Sequence, residues 1–366
     1  MPTNEQIIKA AGVTTGDVTY GLLNSEQART FVKQTFEATP LGALVRHEMR
    51  KAKTGEIDKI GIASRIVRKK TENVDAKSDG SVPVVDPATG QVTGYRAKPN
   101  FSQVTYATKA VRLPWEISEE TLRENIEGEG LEATITNLMT TQLGIDMEDL
   151  HLNGDEGVAD ATAFSATSAY AIGDKVTYNG NVYMFTAAHA AGAWTGTDTV
   201  MLCEVADVDF LKINDGWIKQ IANGGHVYDA SSVTGMSLDM FYNALQAMPN
   251  KYNNGKLRWL MSPHRAQQWE LFLLNKGLSA GANFPDSLYQ SPASIPTVQV
   301  PRMPDDKIIL TDPQNLIVVN TYDVKIRKTV EGKEAIMADK RFYVVHLDSD
   351  PVIEELDATA IITNIK

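Results

Sequence analysis

Apolar residues recur along this chain with two periods, and the switching between them predicts a mixed α+β protein. Over residues 25–52, Ala28, Phe31, Val32 and Phe36 fall at helical spacing behind Ser25 in an N-cap position, and Pro40 and Gly42 interrupt the run. Residues 57–66 change to a period of two, the mark of a strand. About thirty residues rich in Gly, Pro, Asp, Asn and Thr follow, with almost nothing to bury. A compact domain does not hold such a stretch as an ordinary loop, so the segment is expected to reach out and touch something. Residues 86–91 at its centre read as a hairpin turn, and residues 101–111 alternate again. The two flanking strands should therefore pair as a long finger, which is marginal alone in water and needs a neighbour to lie on.

Pro114 is expected to close the second of these strands, and Ser118 to open a helix. A further helical run over residues 129–152 places Leu131, Ile135, Leu138, Met139, Leu143, Met147 and Leu150 at spacings of three and four. At 1.5 Å per residue this is a rod of about 35 Å. One stripe is apolar and the flanks are acidic, so it should pack on a sheet along one side only, and Asn153 and Gly154 stop it. Residues 157–206 then depart from everything around them. Ala, Thr, Gly and aromatics dominate, charge nearly vanishes, and two short strands flank Asn179-Gly180, a strong hairpin signal. This stretch reads as a small inserted β domain.

The main pattern resumes with a helix over residues 208–221, ending at Asn223, Gly224 and Gly225. A helix after Ser237, a strand over residues 256–262 and a helix opened by Pro263 come next, then a polar loop to about Pro292 and short strands to the C-terminus. The predicted segments are an N-terminal arm (1–52), the finger with its flanking strands (53–112), the long helix (113–156), the insertion (157–206), a second α+β block (207–320) and returning strands (321–366).

Composition narrows the function. With 366 residues, 43% hydrophobic and 22% charged, the chain is an ordinary globular polypeptide of about two domains. The lone Cys203 permits no intrachain disulfide, and no apolar run of about 18 residues or secretory leader pattern occurs, so no membrane partner is expected and a cytoplasmic site of synthesis is. A net charge of -11 excludes a protein whose whole surface grips nucleic acid. The sum hides two blocks. Residues 46–72 carry nine bases against four acids, and residues 116–160 carry thirteen acids against one base, Arg123. Such blocks either are separately solvated faces, pair with each other, or pair between copies of the chain.

Candidate chemistry is sparse. Gly277, Ser279 and Gly281 fit G-x-S-x-G, but a nucleophile elbow needs a strand before the serine and a helix after it, and here a helical run precedes. The one histidine beyond it, His346, sits in an alternating strand. The six histidines are far apart, which argues against a zinc site, and there is no phosphate-binding glycine loop. Neither catalysis nor a cofactor nor a metal is expected. The insertion offers the one candidate ligand surface: Tyr170, Tyr178, Tyr183 and Trp194 serve either as an aromatic platform for sugar rings or as the core of a small domain.

The order of features resembles the major capsid proteins of tailed bacteriophages, the Hong-Kong-97-type fold. Leu113-Pro114-Trp115-Glu116-Ile117-Ser118-Glu119-Glu120, Leu152-Asn153-Gly154-Asp155, Leu260-Met261-Ser262-Pro263 before a helix, and the strands over residues 307–320 carry the resemblance. It spans nearly the whole chain except residues 157–206. The resemblance implies an α+β fold with a peripheral domain built on the long spine helix, an axial domain over residues 207–320, and an extended β-hairpin loop lying over a neighbouring subunit. It implies hexamers and pentamers of the chain forming an icosahedral virion shell around double-stranded DNA, with scaffolding and portal proteins as partners and packaged DNA touched non-specifically. Lys69, Lys70, Lys77 and Lys98 are the lysines near or in the loop, but no cross-link acceptor is identified. On this reading Arg65, Arg68, Lys69 and Lys70 of one subunit meet Glu119, Glu120, Glu124 and Glu127 of another. The insertion, through Tyr170, Gly173, Val176, Tyr178, Gly180, Tyr183 and Trp194, resembles chitin-type carbohydrate-binding modules and would face a surface glycan or a decoration protein. The alternatives are a carbohydrate-binding or carbohydrate-active protein and an encapsulin-like compartment shell of the same fold.

Overall fold

The computed structural model describes residues 39–61, 84–85, 92–93, 100–124, 130–233, 235–280, 291–321 and 325–365. The helix expected over residues 25–52 does not extend into the described part: residues 40–44 turn and Arg46–Met49 is a strand, β1. Pro40 and Gly42 break helical geometry there, while Leu41 and Val45 are buried in a core shared with Leu152 and Trp217.

Thr54–Ala107 forms a compact unit of its own. Within it β2 (Thr54–Gly61) pairs antiparallel with β5 (Asn100–Ala107) over their full lengths, and β3 (Val84–Val85) pairs antiparallel with β4 (Val92–Thr93) on either side of the expected turn. The pairing of the two flanking strands read from the sequence is present, but the expected strand over residues 101–111 is split, with residues 109–111 in a separate strand, and residues 62–66 lie outside the described residues.

The second unit comprises Met1–Lys53 and Thr108–Lys366. After β1 it continues with β6 (Lys109–Ser118), α1 (Glu119–Glu124) and α2 (Gly130–Asn153). Pro114 does not close the strand but lies inside it, opposite Val344. A strand bonded on one side only tolerates a missing N–H on its other side, and β6 pairs with one strand alone among the described residues. Ser118 starts α1 as expected, its Oγ accepting from the Thr121 N–H at 3.1 Å.

The insertion contributes β7 (Thr162–Ala163), β8 (Lys175–Tyr178), β9 (Asn181–Phe185) and β10 (Thr199–Glu204) in the order β10-β9-β8-β7. Then come α3 (Val208–Leu211), α4 (Trp217–Gly224), β11 (His226–Asp229), α5 (Leu238–Ala247), β12 (Arg258–Met261) and α6 (Pro263–Ala280). The chain continues through β13 (Thr297–Gln299), β14 (Ile308–Thr311), β15 (Leu316–Asn320), β16 (Lys325–Thr329), α7 (Lys333–Ala338), β17 (Lys340–Ile353) and β18 (Ala360–Thr363). The single helix read over residues 208–221 is two, α3 and α4. Between them Gly216 is extended and passes so close to the end of α2 that an added Cβ would sit 2.6 Å from the Leu152 carbonyl oxygen, a position that only glycine fits.

Two sheets organise this unit. In the first, β17 is flanked by β6 on one side and by β16 and then β15 on the other, with β1 parallel beyond β15. The α2 stripe packs on one face of it, Leu131, Ile135 and Leu143 against Trp115, Ile117, Tyr343, Val345 and Leu347. The second sheet has the order β11-β18-β14-β12-β13. Phe241 of α5 and Trp269 of α6 cover one face, with Phe241 edge-on to Trp259 at 4.9 Å, and Trp217 and Ile221 of α4 meet Leu260, Ile309 and Ile361 on the other. Strand membership departs from chain order in two places: β15, grouped by sequence with the block before residue 320, belongs to the β17 sheet, and β18, grouped with the returning strands, lies between β11 and β14.

Candidate ligand and assembly surfaces

The insertion is built outward from its hairpin. Asn179 and Gly180 both take positive φ, 48° and 83°, the mirror-image turn whose twist matches paired strands. That turn sets Tyr178 opposite Asn181 and Val176 opposite Tyr183. Strand alternation then divides the sheet. Val182 points to a core with Val158 and Cys203 that also takes in Val208 and Leu211 of α3, outside the insertion. Burial there, with Asp207 and Asp155 nearby, pushes the Cys203 thiol up to about 11, so it is inert at neutral pH. Tyr183 and Phe185 point to the opposite face, away from that attachment.

The aromatic face is packed mainly on itself. Trp194 stacks on Tyr178 at 4.4 Å and meets Tyr183 at 4.8 Å and Phe164 at 5.1 Å edge-on. The structure thus brings Tyr178, Tyr183 and Trp194 together. Tyr170 is elsewhere in the cluster, stacked on Phe185 at 4.8 Å and on Phe164 at 5.5 Å, and is half-buried as Tyr183 is. His189 closes the loop that carries Trp194: it forms a two-way backbone bridge with Tyr170, and its Nδ1 lies 2.7 Å from the Asp198 carboxylate. That hydrogen bond holds the Asp198 carboxyl below its usual range. Sequence reading missed Phe164, Phe185 and His189. Phe185 had a signal, since it stands two residues after Tyr183 on the same strand face. Of the four aromatics named from sequence, Tyr183 is the one whose ring contacts, among the described residues, are limited to the edge of Trp194.

The root of the insertion is a charge knot. Asp155 accepts from Lys219 of α4 and from the Gly157 N–H at 2.8 Å, and Lys175 of β8 stands 3.5 Å away. Asp215 accepts from Lys219 and from the Glu156 N–H, each at 2.8 Å. Burial alone would depress the Lys219 pKa, but the two carboxylates reverse it and hold the ammonium above its usual value.

The acidic block is substantially paired inside the chain. Glu119 accepts two bonds from Arg341, which also reaches Glu132 at 2.5 Å; Lys328 takes Glu132 at 2.5 Å and Lys340 takes Glu116 at 2.5 Å. Burial would raise the Glu132 pKa; hydrogen bonds from Lys328, Tyr343 and Arg341 bring it below the usual range instead. Lys109 pairs with Glu156 at 3.2 Å. These bases lie far along the chain from residues 46–72, which is why the sequence blocks did not suggest them. At the described end of the basic block, Arg46 and Arg50 pair with Glu48, and Lys53 with Asp348. Glu120 is exposed. Arg65, Arg68, Lys69, Lys70 and Glu127 lie outside the described residues, and Glu124 ends α1.

The G-x-S-x-G run does not make an elbow: residues 277–280 are the last turn of α6. Among the described residues no group of three or more His, Cys, Asp or Glu is placed to hold a metal, and no helix is long and apolar enough to cross a membrane.

Comparison with known proteins agrees with this architecture. Residues 163–200 match the model of carbohydrate-binding module family 5/12. A putative prophage capsid protein of Bacillus subtilis (strain 168) is 22% identical over 380 residues, covering 99% of each chain. Among solved structures, the capsid of a native GTA particle aligns with a TM-score of 0.55 at 12% identity, over 94% of this chain and 97% of the other. The holo-SrpI encapsulin complex from Synechococcus elongatus PCC 7942 aligns with a TM-score of 0.51 at 12% identity, over 97% and 96%. The chain has the Hong-Kong-97-type capsid fold, with a carbohydrate-module-like segment inserted after the spine helix.

Proposed function

We propose that this protein is the major capsid protein of a tailed bacteriophage, a structural subunit that assembles with copies of itself into hexamers and pentamers of an icosahedral shell around packaged double-stranded DNA. The observation that carries the reading is the end-to-end match to a prophage capsid protein, 99% of both chains. The finger supports it physically. Ile60 and Phe101 face each other across β2 and β5 and stand 72% and 65% exposed, an apolar pair on a two-stranded ribbon that a neighbouring subunit would cover. Scaffolding and portal proteins belong to the same reading as assembly partners, host cytoplasm as the place of assembly, and non-specific contact with the genome follows from enclosing it.

Glu120, Glu124 and Glu127 remain the acids for salt-dependent steering toward Arg65, Arg68, Lys69 and Lys70 of the next subunit; Glu119 is engaged by Arg341 of its own chain. The family match over residues 163–200 favours a second role for the insertion, in which Tyr183, backed by Tyr178 and Trp194, meets a glycan at the shell surface.

Purified protein examined by light scattering and negative-stain microscopy tests the main reading. Closed shells of MDa mass are expected, and a species that stays monomeric at all concentrations and salt levels would overturn it. Shells that enclose a protein cargo and no DNA on recovery from cells would instead favour the encapsulin-like compartment.

A further inference from the structure

The rings of the insertion pack on one another instead of lying in a row. Trp194 has four aromatic rings within 6.2 Å, with Tyr178 stacked on it and Phe164, Tyr183 and Phe185 edge-on. Tyr170 has Phe185 and Phe164 stacked on it, inclined by 9° and 26°. Phe185 is fully buried, and Tyr170, Tyr178, Tyr183 and Trp194 are each half-buried. Tyr183 differs from the others: among the described residues no ring is stacked on either of its faces, and its plane is inclined by 61° to that of Trp194. The sheet sets two further side chains beside it. Met201 of β10 is directly opposite Tyr183 and 49% exposed, and the strand register shifts immediately after it, a bulge of the kind that re-aims a side chain. Asn181 stands two residues before Tyr183 on the same strand face, and its Nδ2 donates to the Tyr183 Oη at 3.4 Å. β10 ends the sheet among the described residues, so Met201 lies at its edge. One aromatic face, one flexible apolar flank and an amide beside a hydroxyl therefore converge on a single spot.

We infer that this spot takes a single sugar ring of a glycan, with Asn181 and Met201 as further contact residues, and does not bind the flat face of an insoluble polysaccharide. The inference rests on the glycan role proposed above for the insertion and specifies its ligand. Sugars on a polysaccharide surface lie side by side in one plane, so holding that surface takes several aromatic rings that are coplanar and side by side. Here Tyr178 and Trp194 cover each other, Tyr170 lies against Phe185, and Tyr183 stands steeply to Trp194. One ring face is left for one sugar. The C–H face of a sugar is apolar and packs on the Tyr183 ring. In that position its hydroxyls reach the Asn181 amide and the Tyr183 Oη, and a methyl-bearing substituent such as an acetamido group lies on Met201. A few placed polar groups around one apolar contact fix orientation and give specificity.

The test titrates the full chain with N-acetylglucosamine and its linear oligomers up to the hexamer, reading binding by saturation-transfer NMR. The expected affinity is nearly independent of oligomer length. Asn181→Ala should weaken binding about tenfold, the loss of one hydrogen-bonding group, while thermal unfolding stays that of the parent. Met201→Ala should reduce the preference for N-acetylglucosamine over glucose, and Tyr183→Phe, which keeps the ring, should weaken binding less than Tyr183→Ala. Affinity that climbs more than about tenfold from dimer to hexamer would reveal an extended platform and overturn the inference, leaving the glycan role standing. Parent-like binding by both Asn181→Ala and Met201→Ala would overturn the contact assignment in the same way. No saturation transfer to any of these sugars would overturn the glycan role and the inference together, and particle formation by the same chain would still support the shell reading.

Discussion

The finger and the insertion are two excursions from the same polypeptide, and they solve the problem of leaving a core in opposite ways. The insertion carries its own interior: Val176, Val182 and Phe185 are fully buried, six aromatic or imidazole rings pack on Trp194 or on one another, and Asp155, Asp215 and Lys219 fix its root. Among its described residues the finger has two main strands, on which Ile57 and Tyr106 are buried while Ile60 and Phe101 are left in solvent. An excursion with a core is complete within one chain, so its outer face is free to vary with a ligand. An excursion without one is completed only by contact with another molecule, and its exposed apolar pairs are part of the assembly rather than of the subunit.

The largest effect should come from the finger and appear only in assembly. Replacing Ile60 and Phe101 together by Ser is expected to abolish particle formation in light scattering, while thermal unfolding of the unassembled chain changes by less than about 0.5 kcal/mol, as for other solvent-exposed sites. A comparable loss of subunit stability would show that the pair belongs to the monomer's core and that the contrast drawn here is false.

Trp194→Ala should do the reverse. Removing the ring that touches Tyr178, Tyr183 and Phe164 should destabilise the insertion by about 3 kcal/mol. Hydrogen exchange would show it as lost amide protection confined to β8–β10, with particles still forming. Loss of protection in β17 as well would mean that the insertion and body unfold as one.

Acid sharpens the comparison on the body's side. His151 is buried near the end of α2, its Nε2 2.7 Å from the Ser349 Oγ. Burial, with His47 as a second cause, pushes its imidazole down to about 3. The folded chain therefore refuses a proton that the unfolded chain accepts below about pH 6.5, so this contribution to stability is intact above that pH and is lost as pH falls toward 3, at up to about 1.4 kcal/mol per pH unit. Glu148, whose carboxyl burial pushes up, has the opposite sign: it favours the folded state below its ordinary range and loses that contribution as pH rises through its folded value. Equilibrium unfolding of His151→Gln between pH 7 and 5 should show a shallower pH dependence than the parent; an identical slope would remove His151 as the cause.

Much of the local structure was legible beforehand because local sequence specifies it. The Asn179-Gly180 turn, the Ser118 cap and the three-and-four spacing of α2 are decided by dihedral preference and periodicity within a few residues. Pro114 was misread because a proline's effect on a strand depends on whether its missing N–H faces a partner, and that is a property of the sheet. The insertion's aromatics were visible as residue types, but the separation of Tyr170, packed on Phe185, from Tyr183, packed on Trp194, follows from ring packing across two strands and two loops.

Composition and short-range pattern were enough for most of the helices and strands, the two excursions and the candidate ligand surface, and the capsid-like order of parts came from resemblance to a known family. Only folding in three dimensions settled that β15 and β18 exchange sheets and that Glu116, Glu119 and Glu132 are neutralised by Lys328, Lys340 and Arg341. Those outcomes join residues some two hundred positions apart. No local preference encodes such pairings; they are fixed when two sheets and a spine helix close over a shared core and bring distant charges within reach.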